Sequence, residues 1–213
     1  MRSAVLDSFH RPLLRRLATP RLLLEPQVAV HAARMFTLLQ DPALYRYENE
    51  APRSLPWLEE RFRRLETRRS ADGSEQWLNW VVRLRGSSLI GFVQATLRKD
   101  RTGAVAYVFG SPHWGHGYAS EAVSAMLDEL VGYYGVTSFT AVLKRDNLRS
   151  VRLLDRLGFA ASADSASLHN LLPDEMLMRR PATRISLANP SPLAEVAPAA
   201  GDLRHRAPDP DPG

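Results

Sequence analysis

Gly115 and Gly117 stand two residues apart in the stretch Trp114-Gly115-His116-Gly117-Tyr118-Ala119-Ser120-Glu121-Ala122, which continues as an acidic, Ala-rich run. A chain that passes through glycines into the first turn of a helix makes an anion site. The leading N–H groups there have no intrahelical partner, and the macrodipole places roughly half a positive charge at that end. Without Cβ atoms, Gly115 and Gly117 let a diphosphate approach the main chain closely. Spacing separates the competing ligands. A nucleoside-triphosphate loop would close with Gly-Lys-Ser/Thr, whereas Tyr118-Ala119-Ser120 follow Gly117. A dinucleotide site would put a third glycine where Ser120 stands and an acid at the end of the next strand, which here ends in Lys144. The remaining alternative is a tight turn that binds nothing.

The flanking elements must hold this corner in place. Apolar Ala122, Val123, Met126, Leu127, Leu130 and Val131 recur at helical spacing after it, and Gly135 is placed to cap the end. Before it, residues 76–84, 87–97 and 104–109 are rich in Val, Ile, Trp, Phe and Tyr and are separated by turn-like Arg85-Gly86 and Asp100–Gly103. Connections this short predict an antiparallel meander. Gly91, inside the middle strand, predicts a bulge or a close approach. Residues 138–144 read as a further strand, and 104–144 as a strand–helix–strand unit with two parallel strands and a right-handed crossover. A helix follows from Asn147 to Gly158, then strands within 165–170 and 175–180. Upstream, Arg21–Pro26 reads as the first strand. Ala32, Met35, Phe36 and Leu39 form one helix that stops at Asp41-Pro42. Leu58, Phe62 and Leu65 form another, with Ser54 as N-cap. The sum is one sheet with helices on its faces, a mixed α+β or α/β fold.

The chain has 213 residues, 45% hydrophobic and 24% charged, enough for one domain and its tails. Residues 1–18 read as a loose or helical extension, 19–183 as the domain, and 184–213 as a Pro- and Ala-rich disordered tail. Without cysteine there is no disulfide scaffold, thiolate zinc site or Cys nucleophile, and the reading is cytoplasmic. No run is long enough to span a bilayer. The net charge of +5 is carried almost wholly by Arg, with Lys only at Lys99 and Lys144. That surface suits anionic partners such as RNA, a ribosome or a phosphorylated cofactor. It equally fits a GC-rich genome that favours Arg codons.

The pattern as a whole resembles the GNAT family of N-acetyltransferases, and within it the branch that acetylates the N-termini of ribosomal proteins. The resemblance is carried by Tyr107, Pro112, Trp114-Gly115, Gly117-Tyr118-Ala119 and Glu121-Ala122, and by a second block, Asn147, Ser150, Leu154 and Leu157-Gly158-Phe159. The opening Thr19–Pro26 and the stretch Asp41–Tyr47 are also similar to that branch, and the whole likeness covers about residues 19–180. It implies a single mixed, mostly antiparallel sheet with a splayed parallel strand pair and helices on both faces. It implies acetyl-CoA as co-substrate, and no metal. The pyrophosphate would sit on the main chain of Gly115, His116, Gly117, Tyr118, Ala119 and Ser120 beside Trp114. The pantetheine arm would run along Val108 and Phe109, and Asn147 and Ser150 would face that arm and the thiol. Asn147 is also a good helix N-cap, and Ser150 could be a first-turn surface residue.

Acetyl transfer to an amine needs a free amine lone pair, a stabilised oxyanion and a protonated leaving thiolate. The resemblance implies a main-chain N–H near Phe109 as oxyanion donor. The Tyr that many relatives use as acid is Leu154 here, which leaves Ser150 or water. The Glu that many relatives carry as base is Ala104 here. Glu121 reads as favourable charge in the first helical turn. His169 titrates near neutral pH and is the candidate base, while His113 and His116 read as solvent-exposed. The acceptor is a primary amine, either a protein N-terminus such as that of a ribosomal protein or a small molecule. The alternative is an acyl-CoA-binding module with weak or no catalysis. The sequence is compatible with a homodimer and leaves ribosome or nucleic-acid contact open; it calls for no membrane.

Overall fold

The computed structural model describes residues 14–47, 50–86, 88–162 and 171–182. Eight strands form one sheet in the order β1-β2-β3-β4-β5-β6-β8-β7. They are β1 Leu17–Ala18, β2 Leu22–Pro26, β3 Glu75–Leu84, β4 Leu89–Arg98, β5 Thr102–Phe109, β6 Ser138–Lys144, β7 Ala160–Ala161 and β8 Glu175–Pro181. All neighbours are antiparallel except β5 and β6. The helices are α1 Ala32–Leu38, α2 Leu55–Glu66, α3 Tyr118–Gly132 and α4 Leu148–Arg156. Among the described residues no helix is long and apolar enough to cross a membrane.

Alternation along β3 divides the core. Leu78, Trp80 and Val82 point to a cluster with α3 residues Ala122, Val123, Met126, Leu127 and Leu130, which also takes in Leu153 and Leu154 of α4. Val81 points to the opposite face, with Met35, Leu58 and Phe62 of α1 and α2. Helices therefore cover both faces. Trp80 is fully buried, and its indole N–H donates to the Arg15 carbonyl at 2.8 Å. Truncating a buried Trp to Ala costs about 3–5 kcal/mol.

Local rules account for the helix ends. The Ser54 hydroxyl accepts the Trp57 N–H at 3.3 Å, and Pro56 stands in the first turn of α2, where its missing donor does no harm. Gly135 and Gly158, just past α3 and α4, have φ of +69° and +82°. That conformation suits glycine at a helix end.

Residues 14–18 are not a loose extension. Leu17 and Ala18 pair with Leu24 and Leu23, and the Arg15 guanidinium binds both oxygens of Glu129 at 2.8 and 2.6 Å. Arg15 also lies 4.1 Å over the Tyr133 ring. The strand expected within 165–170 lies outside the described residues.

Two features of the sheet shape the site. First, β5 and β6 pair only through Thr102↔Ser138, Gly103↔Phe139 and Ala104↔Thr140, then diverge. Second, a Cβ on Gly91 would lie 2.3 Å from the Val108 carbonyl oxygen. Gly91 marks a close approach of β4 to the end of β5, and it also borders a break in the β3–β4 register, where Val82 pairs with Gly91 and Arg83 with Leu89, so both readings of its position hold.

Candidate active site

Gly115 and Gly117 both have φ of +78°, a left-handed conformation that L side chains rarely adopt. The first intrahelical bond of α3 runs from the Glu121 N–H to the Gly117 carbonyl at 3.1 Å. The N–H groups of Tyr118, Ala119 and Ser120 thus precede the helical ladder, at the positive end of the macrodipole.

This turn opens on a cavity of about 400 Å³. Gly115, Gly117, Tyr118, Ala119 and Ser120 line one end of it, with Trp114 beside them. Val108 and Phe109 of β5 line it as well, as do Asn147 and Ser150 at the start of α4. Ten of the residues singled out in the sequence thus line one cavity. His116 is not among the lining residues: its carbonyl accepts from Arg21 Nη1 at 2.9 Å, and its ring stacks 5.5 Å from that of Tyr118. His169 lies outside the described residues.

The main chain of Phe109 faces the split. The Gly110 N–H donates to the Ile90 carbonyl on the β4 side at 3.0 Å, so strand alternation turns the Phe109 N–H and carbonyl away from β4. The Phe109 carbonyl accepts from the Trp114 indole N–H at 2.6 Å, which fixes the ring against the end of β5. The Arg149 guanidinium lies 4.6 Å over that ring.

Asn147 caps α4, its side-chain oxygen accepting the Ser150 N–H at 3.2 Å. The capping and cavity-facing readings of Asn147 therefore hold together, because the cap leaves its amide donors for the cavity. A second cavity of about 160 Å³ occupies the gap between β5 and β6, lined by residues 105–107 and 141–144 and by Glu175. Tyr47, Tyr107, Asn147 and Ser150 line both cavities, so the two meet at those side chains. Ala104 sits in the last paired rung below the gap, between Thr96 and Thr140, and supplies no titratable group. Lys144, at the end of β6, is held by Asp174 at 3.0 Å and Glu175 at 3.3 Å.

Several lining residues were not singled out in the sequence. Ala43, Leu44 and Tyr47 come from the turn after α1. That turn is tied to the exit of β5 by Asp41, which accepts the Ser111 and Ala43 N–H groups at 3.0 and 2.9 Å. Hydrogen bonding from the Ser111 side chain first, then from the Ser111 and Ala43 N–H groups, holds the Asp41 carboxyl below the ordinary range. His113 is half-buried in the cavity wall rather than exposed, and burial, reinforced by His116, lowers its pKa and favours the neutral ring. Arg149, Arg152 and Arg156 of α4 also line the cavity, and their spacing of three and four residues is the signal that could have found them.

Comparison with known proteins agrees with this arrangement. The profile of the acetyltransferase (GNAT) domain matches residues 21–160. The uncharacterized N-acetyltransferase YoaA of Bacillus subtilis is 26% identical over 146 residues, covering 67% of this chain and 81% of its own. Among solved structures, the ribosomal L7/L12 alpha-N-protein acetyltransferase RimL in complex with coenzyme A superposes with a TM-score of 0.68 at 12% identity, over 78% of this chain and 98% of that one. RimJ of Mycobacterium smegmatis, in complex with a CoA disulfide, gives 0.66 at 16% identity, over 82% and 91%. A single mixed sheet split at its parallel pair, a glycine turn opening α3 and a match across the central 140 residues converge: the chain belongs to the GNAT acetyltransferase family and is an N-acetyltransferase.

Proposed function

We propose that the chain transfers the acetyl group of acetyl-CoA directly to a primary amine, the α-amine of a protein N-terminus, within a complex that holds both substrates. The observation that carries this reading is the junction of the two cavities at Tyr107, Asn147 and Ser150, beside the stretch of β5 that does not pair with β6. The residues present suit the cofactor. Left-handed Gly115 and Gly117 bare the main chain, and the N–H groups of residues 118–120 precede the helical ladder where a pyrophosphate would lie. Val108 and Phe109 offer the edge of a strand to the pantetheine amides. We take residues 19–183 as the acetyltransferase domain.

Acetyl-CoA supplies an activated thioester. The Phe109 N–H is turned toward the gap and serves as the oxyanion donor. As the amine nitrogen bonds to the carbonyl carbon, the C–S bond breaks and the departing sulfur takes a proton from Ser150 or from water. Deprotonation of the incoming ammonium falls to His169 or to a water relay. An α-amine has a pKa near 8 and is partly free at neutral pH, so the lack of a titratable group at Ala104 is tolerable for an N-terminus and less so for a Lys side chain. The shared fold with RimL, an alpha-N-protein acetyltransferase of ribosomal L7/L12, is in keeping with an α-amine acceptor.

The test follows thiol release from acetyl-CoA over a panel of peptides with free N-termini, Nα-blocked peptides containing Lys, and small amines, with thermal shift by acetyl-CoA alongside. Turnover with free N-termini is expected. Turnover restricted to small amines or to Lys would reject the acceptor, and stabilisation by acetyl-CoA without turnover on any amine would favour a binding module. A His169→Asn variant whose pH–rate profile matches the wild type would assign deprotonation to water.

A further inference from the structure

We infer that Arg152 and Arg156 of α4 form a site for the third phosphate of coenzyme A, the ribose 3′-phosphate, so that the protein discriminates acetyl-CoA from acetyl-3′-dephospho-CoA. The inference rests on the acetyl-CoA reading above and refines it. Arg149, Arg152 and Arg156 all line the larger cavity. Their spacing of three and four residues sets them on one side of α4, a row about 10 Å long at the helical rise. Arg149 is engaged by the Trp114 ring.

Arg152 and Arg156 differ from the arginines that acidic side chains hold. Arg15 is taken by Glu129, Arg21 by Glu121 and Arg83 by Glu25. Among the described residues, neither Arg152 nor Arg156 is bonded to a carboxylate, and no Asp or Glu lines this cavity. Asp155, the acid of α4, is not among the lining residues. Two exposed guanidinium groups on the wall of an acid-free cavity are a fork suited to a phosphate dianion.

The rest of the cavity leaves that role open. The amides and dipole at the start of α3 act within about one helical turn, which is enough for a diphosphate. A phosphate on the ribose lies beside that diphosphate and beyond reach of the same amides. It needs cations of its own, and the α4 row on the lining of the same cavity supplies them.

Calorimetry with the full-length protein would compare acetyl-CoA and acetyl-3′-dephospho-CoA, for the wild type and for Arg152→Gln/Arg156→Gln. The wild type is expected to bind the dephospho form about tenfold more weakly, the size of one charge-assisted contact at a partly exposed site. The double variant is expected to bring the two constants within about twofold of each other. Equal binding of both thioesters by the wild type overturns the inference while leaving the acetyl-CoA reading intact. A double variant that keeps the tenfold gap, or changes only the KM of the acceptor, overturns it too. Binding of neither thioester by the wild type would overturn both readings. Adenosine 3′,5′-bisphosphate should displace the thioester better than AMP from the wild type only, an outcome that misfolding of the variant could not imitate in the dephospho measurement.

Discussion

Arg21 and Glu121, exactly one hundred residues apart in number, close a latch between the N-terminal hairpin and the glycine turn. The Glu121 carboxylate accepts from Arg21 Nε at 2.6 Å, from the Arg21 N–H at 3.0 Å and from the Thr19 hydroxyl at 2.6 Å. Arg21 also donates to the His116 carbonyl at 2.9 Å and lies 4.7 Å over the Tyr118 ring. One carboxylate in the first turn of α3 thereby fixes β1 and β2 against the loop that opens the cavity. Glu121→Gln keeps the size and loses the charge. Because the Arg21 side chain is 48% exposed, the expected loss is discounted to about 1–2 kcal/mol, or a melting point lower by about 2–8 °C. The KM for acetyl-CoA should rise severalfold. An unchanged melting point and KM would show the latch to be idle.

Acid should weaken the same latch. Burial raises the Glu121 carboxyl, but the bonds from Thr19 and Arg21 and the Arg21 charge outweigh it, and the net pKa is lowered. Such a carboxylate adds stability above its unfolded pKa, and that contribution is lost as pH falls through the folded value. The melting points of wild type and Glu121→Gln should therefore converge below about pH 4, the ordinary carboxylate value. A gap that stays constant from neutral pH to pH 3 would rule out this account.

Gly117→Glu places a carboxylate where the pyrophosphate would lie. A Cβ there would have only Arg21 Nη2 within 4 Å, at 3.5 Å, so the fold has room for the side chain while the φ of +78° is strained. Acetyl-CoA binding by calorimetry should fall at least a hundredfold, roughly 3 kcal/mol. Affinity within twofold of the wild type would move the phosphate site elsewhere.

Ser150→Ala removes a hydroxyl that lines both cavities while keeping the N–H that Asn147 caps. Its kcat is expected to drop by about tenfold to a hundredfold, the lower part of the range for a positioned acid, because water can replace it in part. The dissociation constant of acetyl-CoA should change little. Equal losses in binding and in rate would leave Ser150 as a contact and no acid.

Gly91→Ala probes the packing of β4 against the end of β5. Its Cβ would fall 2.3 Å from the Val108 carbonyl oxygen, a main-chain atom that can move only with its strand. The substitution should cost about 1–3 kcal/mol, read by urea unfolding. It should also weaken acetyl-CoA by displacing Val108 and Phe109. Unaltered stability would mean that β5 yields freely at this point.

Legibility followed the range of the contacts. The β6 strand, the Ser54 cap and the glycine turn are written in runs of a few neighbouring residues, and each was readable. The splay of β5 from β6 came from family resemblance, since nothing in Ala104–Phe109 by itself says where pairing stops. The Leu17–Ala18 strand was missed because two residues carry no period. It is held by Arg15 meeting Glu129, 114 positions away. Glu121 was read as first-turn charge, and its second role depends on Arg21 arriving from another element. Tyr47 and the half-buried His113 come to the cavity from two loops that Asp41 ties together, a contact between distant residues. The arginine row of α4 was not singled out, because which wall it faced needed the fold.

The three-rung seam between β5 and β6 makes the sheet two slabs hinged at one end. Any strand-like guest in the open end supplies the absent rungs and welds the slabs together. The empty protein should accordingly exchange its amide hydrogens fastest along that gap, and protection there should spread into β6 and β8 once the guest is seated, far beyond the atoms it touches.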